Sequence, residues 1–102
     1  MRQARIFVQD KPAGILVENN VHDYYFEYDA TYEGLPISVT MPIYNKRYRF
    51  KQFPPFFEGL LPEGIMLEAL LRQYKINKDD YFSQLILTGE DLVGAVTVRE
   101  IK

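Results

Sequence analysis

The chain has 102 residues, enough for one domain with a single compact core, and we treat residues 1–102 as that domain. Hydrophobic residues make up 47% and aromatic residues 15% of it, which excludes a disordered chain. The 12 basic and 14 acidic residues give a net charge of −2, which argues against non-specific binding to nucleic acid or an anionic membrane. The absence of cysteine excludes disulfides, thiol catalysis and cysteine-ligated zinc.

The N-terminal segment MRQARIFVQDKPAG lacks the apolar stretch of a signal peptide. No apolar run approaches the roughly 20 residues that a membrane-spanning helix needs. We therefore expect a soluble, cytoplasmic protein that does not bind a membrane.

The first part of the chain has the alternating pattern of β-strands. Alternation over Arg2–Gln9, the turn-rich segment Asp10–Gly14 and the apolar Ile15–Val17 predict a hairpin with a connection of four or five residues. Alternation over Tyr24–Tyr28 predicts a further half-buried strand.

Two more strand candidates follow. Ile37–Met41 alternates apolar and hydroxyl residues, which predicts a fourth strand that Pro42 limits. Tyr44–Phe50 is compatible with either a short fifth strand or an ordered loop.

The segment after these strands has helical signals. Phe53-Pro54-Pro55 predicts a rigid elbow, and Phe56–Leu61 a short helical turn. Pro62 suits the first position of a helix that we expect to end near Tyr74. The spacing i, i+3, i+4, i+7 predicts one buried stripe on this helix, made of Leu67, Leu70, Leu71 and Tyr74.

A second helix is predicted to start near Lys78, because Asn77 and Asp80 resemble a capping box, and to end at Gly89. Its predicted apolar stripe is Phe82, Leu85 and Ile86. A closing strand over Leu92–Arg99 is expected to return beside an early strand. The predicted fold class is α+β, with a small, mainly antiparallel sheet and two principal helices in the C-terminal half.

Few residues point to catalysis. His22 is the only histidine and lies in a polar turn, where a lone histidine without cysteines makes a poor metal site. The serines Ser38 and Ser83 are not in a nucleophile elbow. Glu58 and Glu63 are the one candidate acid/base pair, but helix-terminal electrostatics explain them more simply. We expect no enzyme activity, no cofactor and no metal.

One basic cluster interleaves charged and aromatic side chains, a mixture that can contact phosphates and stack on bases. It consists of Lys46, Arg47, Arg49 and Lys51, with Tyr44, Tyr48 and Phe50 between them. Positive charge that protects a sheet edge from aggregation is the simpler interpretation. An acidic patch on a protein partner is a third possibility.

The most informative segment is the start of the first long helix. At about 100° per residue, the predicted buried stripe puts Ile65 nearly opposite to it, beside Ala69 and Arg72, with Met66 on the flank. An exposed isoleucine on a rigid helix start can enter a partner's pocket at little entropic cost. This pattern suggests a partner-binding face.

Three segments carry a resemblance to a known family. Phe56–Gly64, which reads FFEGLLPEG, resembles the F-x-E-x-L-L-P-E-G signature of the N-terminal subdomain of HipA-type serine/threonine kinase toxins. Leu35–Pro42 is similar to that family's L-x-L-S-L-P strand, and Gly89–Val96 to its G-x-D-x-V-G-A turn and strand. The N-terminal pattern of a short strand, a turn and G-x-L also matches, and together these elements occur in family order and span nearly the whole chain.

The chain ends at Lys102 without kinase motifs, and in this it resembles HipS-type antitoxins of three-component HipBST systems. The resemblance implies an antitoxin that binds and inhibits a HipT-like kinase, accompanied by a HipB-like DNA-binding protein, with no direct contact to nucleic acid. It implies partner contacts at a set of helix residues: Glu63, Ile65, Met66, Glu68, Ala69 and Arg72. The alternatives are a non-inhibitory subdomain that completes a split HipA-like kinase and nucleic-acid binding through Lys46–Lys51.

Overall fold

The computed structural model describes residues 1–92 and 94–102. Five strands and three helices occur within them. Four strands precede the helices in the chain and the fifth follows them. In chain order the elements are β1 (Arg2–Val8), β2 (Lys11–Asn20), β3 (Asp23–Tyr28), β4 (Arg47–Phe50), α1 (Pro55–Glu58), α2 (Gly64–Tyr74), α3 (Tyr81–Thr88) and β5 (Val96–Ile101).

The five strands form one antiparallel sheet in the order β4-β3-β2-β1-β5. The last strand pairs with the first, with Ile6 opposite Val98. The predicted α+β class and the return of the closing strand beside an early one are thus confirmed. The observed strand begins at Val96 rather than Leu92. Val93, which the predicted strand included, lies outside the described residues.

The hairpin between β1 and β2 is tighter than predicted. Only Gln9 and Asp10 separate the strands, and both have positive φ, +49° and +67°. Two successive residues in this region make the two-residue turn whose twist matches that of paired strands. The expected connection of four or five residues was wrong, because the glycine that normally marks such a turn is missing from both positions.

One face of the sheet forms the core with α1 and α3. Alternate residues of the central strands point to that face, as the period of two requires. The core residues of these elements are Ala4, Ile6 and Val8 on β1, Ala13 and Leu16 on β2, Tyr24, Phe26 and Tyr28 on β3, Phe57 on α1, Phe82 and Leu85 on α3, and Val96 and Val98 on β5.

The segment between β3 and β4 is an ordered loop. The prediction of a fourth strand over Ile37–Met41 was therefore wrong. Ile37 and Met41 are buried, whereas Val39 between them is 93% exposed, so the alternation of a strand is broken. The Tyr28 hydroxyl explains this conformation, since it accepts from the Ile37 amide at 2.9 Å and donates to the Met41 carbonyl at 2.5 Å. Of the later candidate, only Arg47–Phe50 is a strand.

Helix α2 starts two residues later than predicted. Glu63 is its N-cap residue and Pro62 precedes the helix, so the expectation that Pro62 takes the first helical position was wrong. Gly64, the first residue of α2, has a φ of +59°, which a residue with a Cβ adopts only with strain. The predicted end at Tyr74 is confirmed.

Helix α3 is capped by Asp80 and not by Asn77. The Asp80 side chain accepts from the Ser83 amide at 3.2 Å, whereas the Asn77 side chain accepts from the Asp79 amide in a turn before the helix. The helix therefore begins at Tyr81 rather than near Lys78. Two residues of its predicted stripe are buried and the third is half-buried.

The end of α3 abuts the edge strand. Gly89 follows the helix as predicted, and its carbonyl accepts from the Val98 amide of β5 at 2.9 Å. A Cβ at Gly89 would collide with the Val98 backbone. A glycine is needed here for close approach rather than for a left-handed conformation, since its φ is −56°.

Candidate partner-binding site

The whole of α2 lies at the surface of the molecule. None of its 11 residues, all of them described, is buried. Leu67, Leu70 and Leu71 are half-buried, and Tyr74 is 48% exposed. The prediction that this stripe is buried was therefore wrong, because the body of the protein covers this side of α2 only in part.

The other side of α2 is more exposed still. Ile65 is 84% and Met66 72% exposed, so both residues point away from the body, as the helical periodicity predicted. The backbone that carries them follows Pro62, whose ring restricts φ. It begins at Gly64, the first residue of α2, where φ is positive. Two large apolar side chains are thus exposed next to each other at the start of a helix.

The remaining predicted contact residues surround these two. Glu63, Glu68, Ala69 and Arg72 are all exposed. None of the charged ones is in a salt bridge among the described residues. The structure therefore places all six predicted residues on one exposed helix and its N-cap. Their contact with a partner stays a prediction.

A groove runs beside this helix start, and sequence reasoning missed it. Its volume is about 500 Å³, and it lies between the α1–α2 connection and the segment after α3. It is lined by Gly59, Leu60, Leu61, Pro62, Glu63, Met66, Thr88, Asp91 and Leu92. We call it the α2 groove. Its two walls are about 30 residues apart in the chain, so no local pattern could have revealed it.

The candidate catalytic residues His22, Glu58 and Glu63 lie at the surface. His22 lies exposed in the β2–β3 turn, where its amide donates to the Asn20 side chain at 2.8 Å. Glu58 and Glu63 are both exposed. Within residues 1–92 and 94–102, no group of three or more histidines and carboxylates is placed to hold a metal ion. No helix of the described chain is long and apolar enough to cross a membrane.

The two arginines of the basic cluster are paired with acids on β3, whereas Lys46 and Lys51 have no salt bridge among the described residues. Arg47 contacts Glu27 at 2.5 Å, and Arg49 contacts Asp23 at 3.0 Å. The Arg47 guanidinium also lies 4.3 Å from the centre of the Tyr25 ring. This arrangement favours the interpretation of a protected sheet edge, because paired arginines on an edge strand leave little free charge for phosphates.

Four of the titratable groups with shifted pKa values, Arg2, Glu18, Tyr24 and Asp80, form a separate cluster, which connects β1 to α3. Arg2 donates to both oxygens of Glu18, at 2.6 and 3.0 Å, and to Asp80 at 3.0 Å. Burial acts to raise the pKa of Glu18, but the hydrogen bonds from Arg2 and Tyr24 outweigh it and lower that pKa overall. Burial likewise acts to raise the pKa of Asp80, and the hydrogen bonds from Arg2 and Ser83 lower it overall.

This Arg2 cluster has a structural role. Tyr24 donates to Glu18 at 2.7 Å, and its own pKa is raised, first by burial and then by that hydrogen bond. No buried side-chain nitrogen or oxygen of the described residues lacks a hydrogen-bond partner. A cluster that satisfies its own groups has no spare acid or base for chemistry and instead stabilises the packing of α3 on the sheet.

Comparison with known proteins agrees with the fold and the motifs. The profile of a family described as HipA N-terminal domain matches residues 4–99. A solved structure described as the N-terminal domain of HipA toxin is similar to this chain with a TM-score of 0.79 and 25% identity, over 100% of this chain and 94% of that one. An uncharacterized protein of Haemophilus influenzae is 29% identical over 102 residues, which cover 100% of this chain and 95% of that protein.

Proposed function

This chain belongs to the HipA N-terminal domain family, and from that premise we propose that it is an antitoxin that binds and inhibits a HipT-like serine/threonine kinase. The family describes the N-terminal part of HipA and not its kinase part. The match to this chain covers 95% of the relative from Haemophilus influenzae. Both facts support a domain that acts by binding a separate kinase.

The exposed start of α2 is the observation that carries this proposal. Ile65 and Met66 project from a helix that the rest of the chain leaves uncovered. In the proposed complex they enter the active-site cleft of the kinase and block nucleotide binding or closure. Little entropy is lost on docking because the backbone that carries them is already ordered.

The residues around this apolar protrusion supply the polar part of the interface. Glu63, Glu68 and Arg72 are exposed at its edge, and Ala69 leaves space beside Ile65 for the kinase surface to approach. This division into an apolar centre and a polar rim is the usual anatomy of a protein–protein interface. A HipB-like DNA-binding protein would be the third component of a ternary complex.

The test is a kinase assay with a single substitution and a matched control. Ile65→Asp should weaken inhibition of a HipT-like kinase roughly tenfold or more, since a central apolar anchor contributes about 2 kcal/mol. Val39→Asp makes the same chemical change at a residue that is 93% exposed in the β3–β4 loop, and it should inhibit like the wild type.

Circular dichroism and thermal unfolding of both variants establish that they are folded. A well-folded Ile65→Asp protein that inhibits as strongly as the wild type would contradict the mechanism. Loss of inhibition in both variants would show that the assay responds to added charge and not to the α2 surface.

A second function is favoured by the inner side of α2. Leu67, Leu70 and Leu71 are only half-buried, so a partner that packs against them would complete the packing of this helix. On that basis the domain would stabilise a split HipA-like kinase without inhibiting it. The same assay separates the two functions, because unchanged or increased kinase activity on addition of the wild-type domain supports stabilisation.

A further inference from the structure

The α2 groove has an uneven distribution of charge. Two acidic residues line it, Glu63 and Asp91, while no lysine, arginine or histidine among the described residues does. Neither carboxylate is in a salt bridge within the described part of the chain. The neighbouring Glu90, by contrast, contacts Arg99 at 2.9 Å. The groove therefore presents two acidic groups with no counter-charge of their own.

The rest of the groove is apolar. Leu60, Leu61, Met66 and Leu92 line it beside the two acids. Its one hydroxyl, that of Thr88, already donates to the Gln84 carbonyl at 2.8 Å. An apolar trough with two free carboxylates matches a side chain that has a long aliphatic stem and a cationic head.

We propose that the α2 groove receives an arginine or lysine side chain of the protein partner, with the stem against the apolar wall and the head between Glu63 and Asp91. This inference rests on the proposed function and specifies the surface that the kinase offers. The interface would then be reciprocal, because Ile65 enters the partner while a basic side chain of the partner enters this chain.

Charge and desolvation favour this occupant over others. An apolar side chain in the groove would remove two carboxylates from water without compensation, which is costly. A phosphate, a nucleic acid or an anionic lipid would be repelled by the same two groups. A guanidinium or ammonium group can form charge-assisted hydrogen bonds with both carboxylates, while the aliphatic stem of the same side chain covers the apolar wall.

The test compares two pairs of substitutions that remove the same charge. The first pair is Glu63→Gln with Asp91→Asn, at the groove. The second is Asp10→Asn with Glu33→Gln, two exposed acids that do not line the groove and also have no salt bridge among the described residues. Association with a HipT-like kinase is measured by surface plasmon resonance from low to high salt, and thermal unfolding verifies that each protein is folded.

The groove pair should weaken kinase binding by about tenfold or more and flatten its salt dependence, because charge pairs across an interface act on both affinity and association rate. The control pair should change affinity less than about twofold, the small effect of net charge alone. Equal effects of the two pairs, or an unchanged affinity of the groove pair, would overturn the proposal while the antitoxin function stands. Failure of the wild-type domain to bind the kinase at any salt would contradict the antitoxin function and this inference with it.

Discussion

The central strands and α2 both have regular apolar patterns, yet they use them in opposite ways. On the strands, alternate residues such as Ile6 and Phe26 are completely buried against α1 and α3. On α2, leucines at helical spacing remain half-buried, and Ile65 on the other side is almost fully exposed. Periodicity therefore shows which residues share a face, but not whether the same chain covers that face.

The difference has an energetic meaning. Apolar surface left in water forgoes about 25 cal/mol of stabilisation for each Å² that burial would provide. The core of sheet, α1 and α3 holds the fold together without much help from α2, whose apolar residues remain available to a partner. Burial of that surface in a complex would then contribute to binding rather than to folding.

The largest expected effect tests whether the core alone carries stability. Phe57→Ala removes a fully buried ring that lies 6.1 Å from the centre of Phe26, and it should cost about 3–5 kcal/mol of unfolding free energy. Leu70→Ala on half-buried α2 should cost less than about 1.5 kcal/mol, because its side chain is only partly removed from water. Urea denaturation measures both. Equal losses would show that α2 belongs to the folding core.

A smaller effect tests the polar contacts that attach α3 to the sheet. Arg2→Met leaves the Glu18 carboxyl, with 9% of its side chain exposed, without its charged donor and should cost roughly 1–3 kcal/mol at neutral pH. Because the Arg2 side chain is partly exposed and water screens its charge, we expect the loss of unfolding free energy to lie in the lower part of that range. Thermal unfolding measures it, and an unchanged melting temperature would show that the contacts add nothing.

The same contacts predict the acid dependence of stability. The pKa values of Glu18 and Asp80 are lower in the folded protein than their ordinary values of 4.5 and 3.8. The stability they contribute is therefore fully present above those ordinary values and is lost as the pH falls through the lower, folded-state values. Arg2→Met should flatten this acid limb in a series of unfolding curves.

The smallest effect concerns the backbone at the start of α2. Gly64→Ala should cost about 1–2 kcal/mol, because φ is +59° and a Cβ is disfavoured there even though no atom lies within 4 Å of it. Gly59→Ala is the matched control, since φ at Gly59 is −64° and a Cβ added there would lie 3.5 Å from the nearest atom, the Phe56 carbonyl oxygen. It should be neutral or slightly stabilising. Chemical denaturation of the two proteins distinguishes them.

Much of the fold could be predicted from local patterns. Alternation located the strands over Arg2–Val8 and Asp23–Tyr28, and apolar spacing with Gly89 located α3. The strand predicted at Ile37–Met41 failed because a distant hydroxyl, that of Tyr28, holds the segment in a loop. The capping residue of α3 was misplaced for a related reason, since Asn77 and Asp80 offer similar side chains and only the folded chain selects one.

The candidate site likewise has one part that the sequence predicted and one part that only the folded chain shows. Helical geometry was sufficient to place Ile65 and Met66 on an exposed face, since direction around a helix depends only on residue spacing. The α2 groove required the folded chain, because Asp91 and Leu92 reach Glu63 and Met66 only when α3 turns back beside the start of α2.

Apart from the strand wrongly expected at Ile37–Met41, the amino-acid sequence by itself determined the order of strands and helices, the α+β class and the outward direction of Ile65, because these depend on short-range periodicity and backbone preference. Only the tertiary structure decided that α2 has no buried residue, that Arg2 joins Glu18 to Asp80, and that two acids share an apolar groove. These features depend on which distant segments meet, and that is set by the packing of the whole chain around its core.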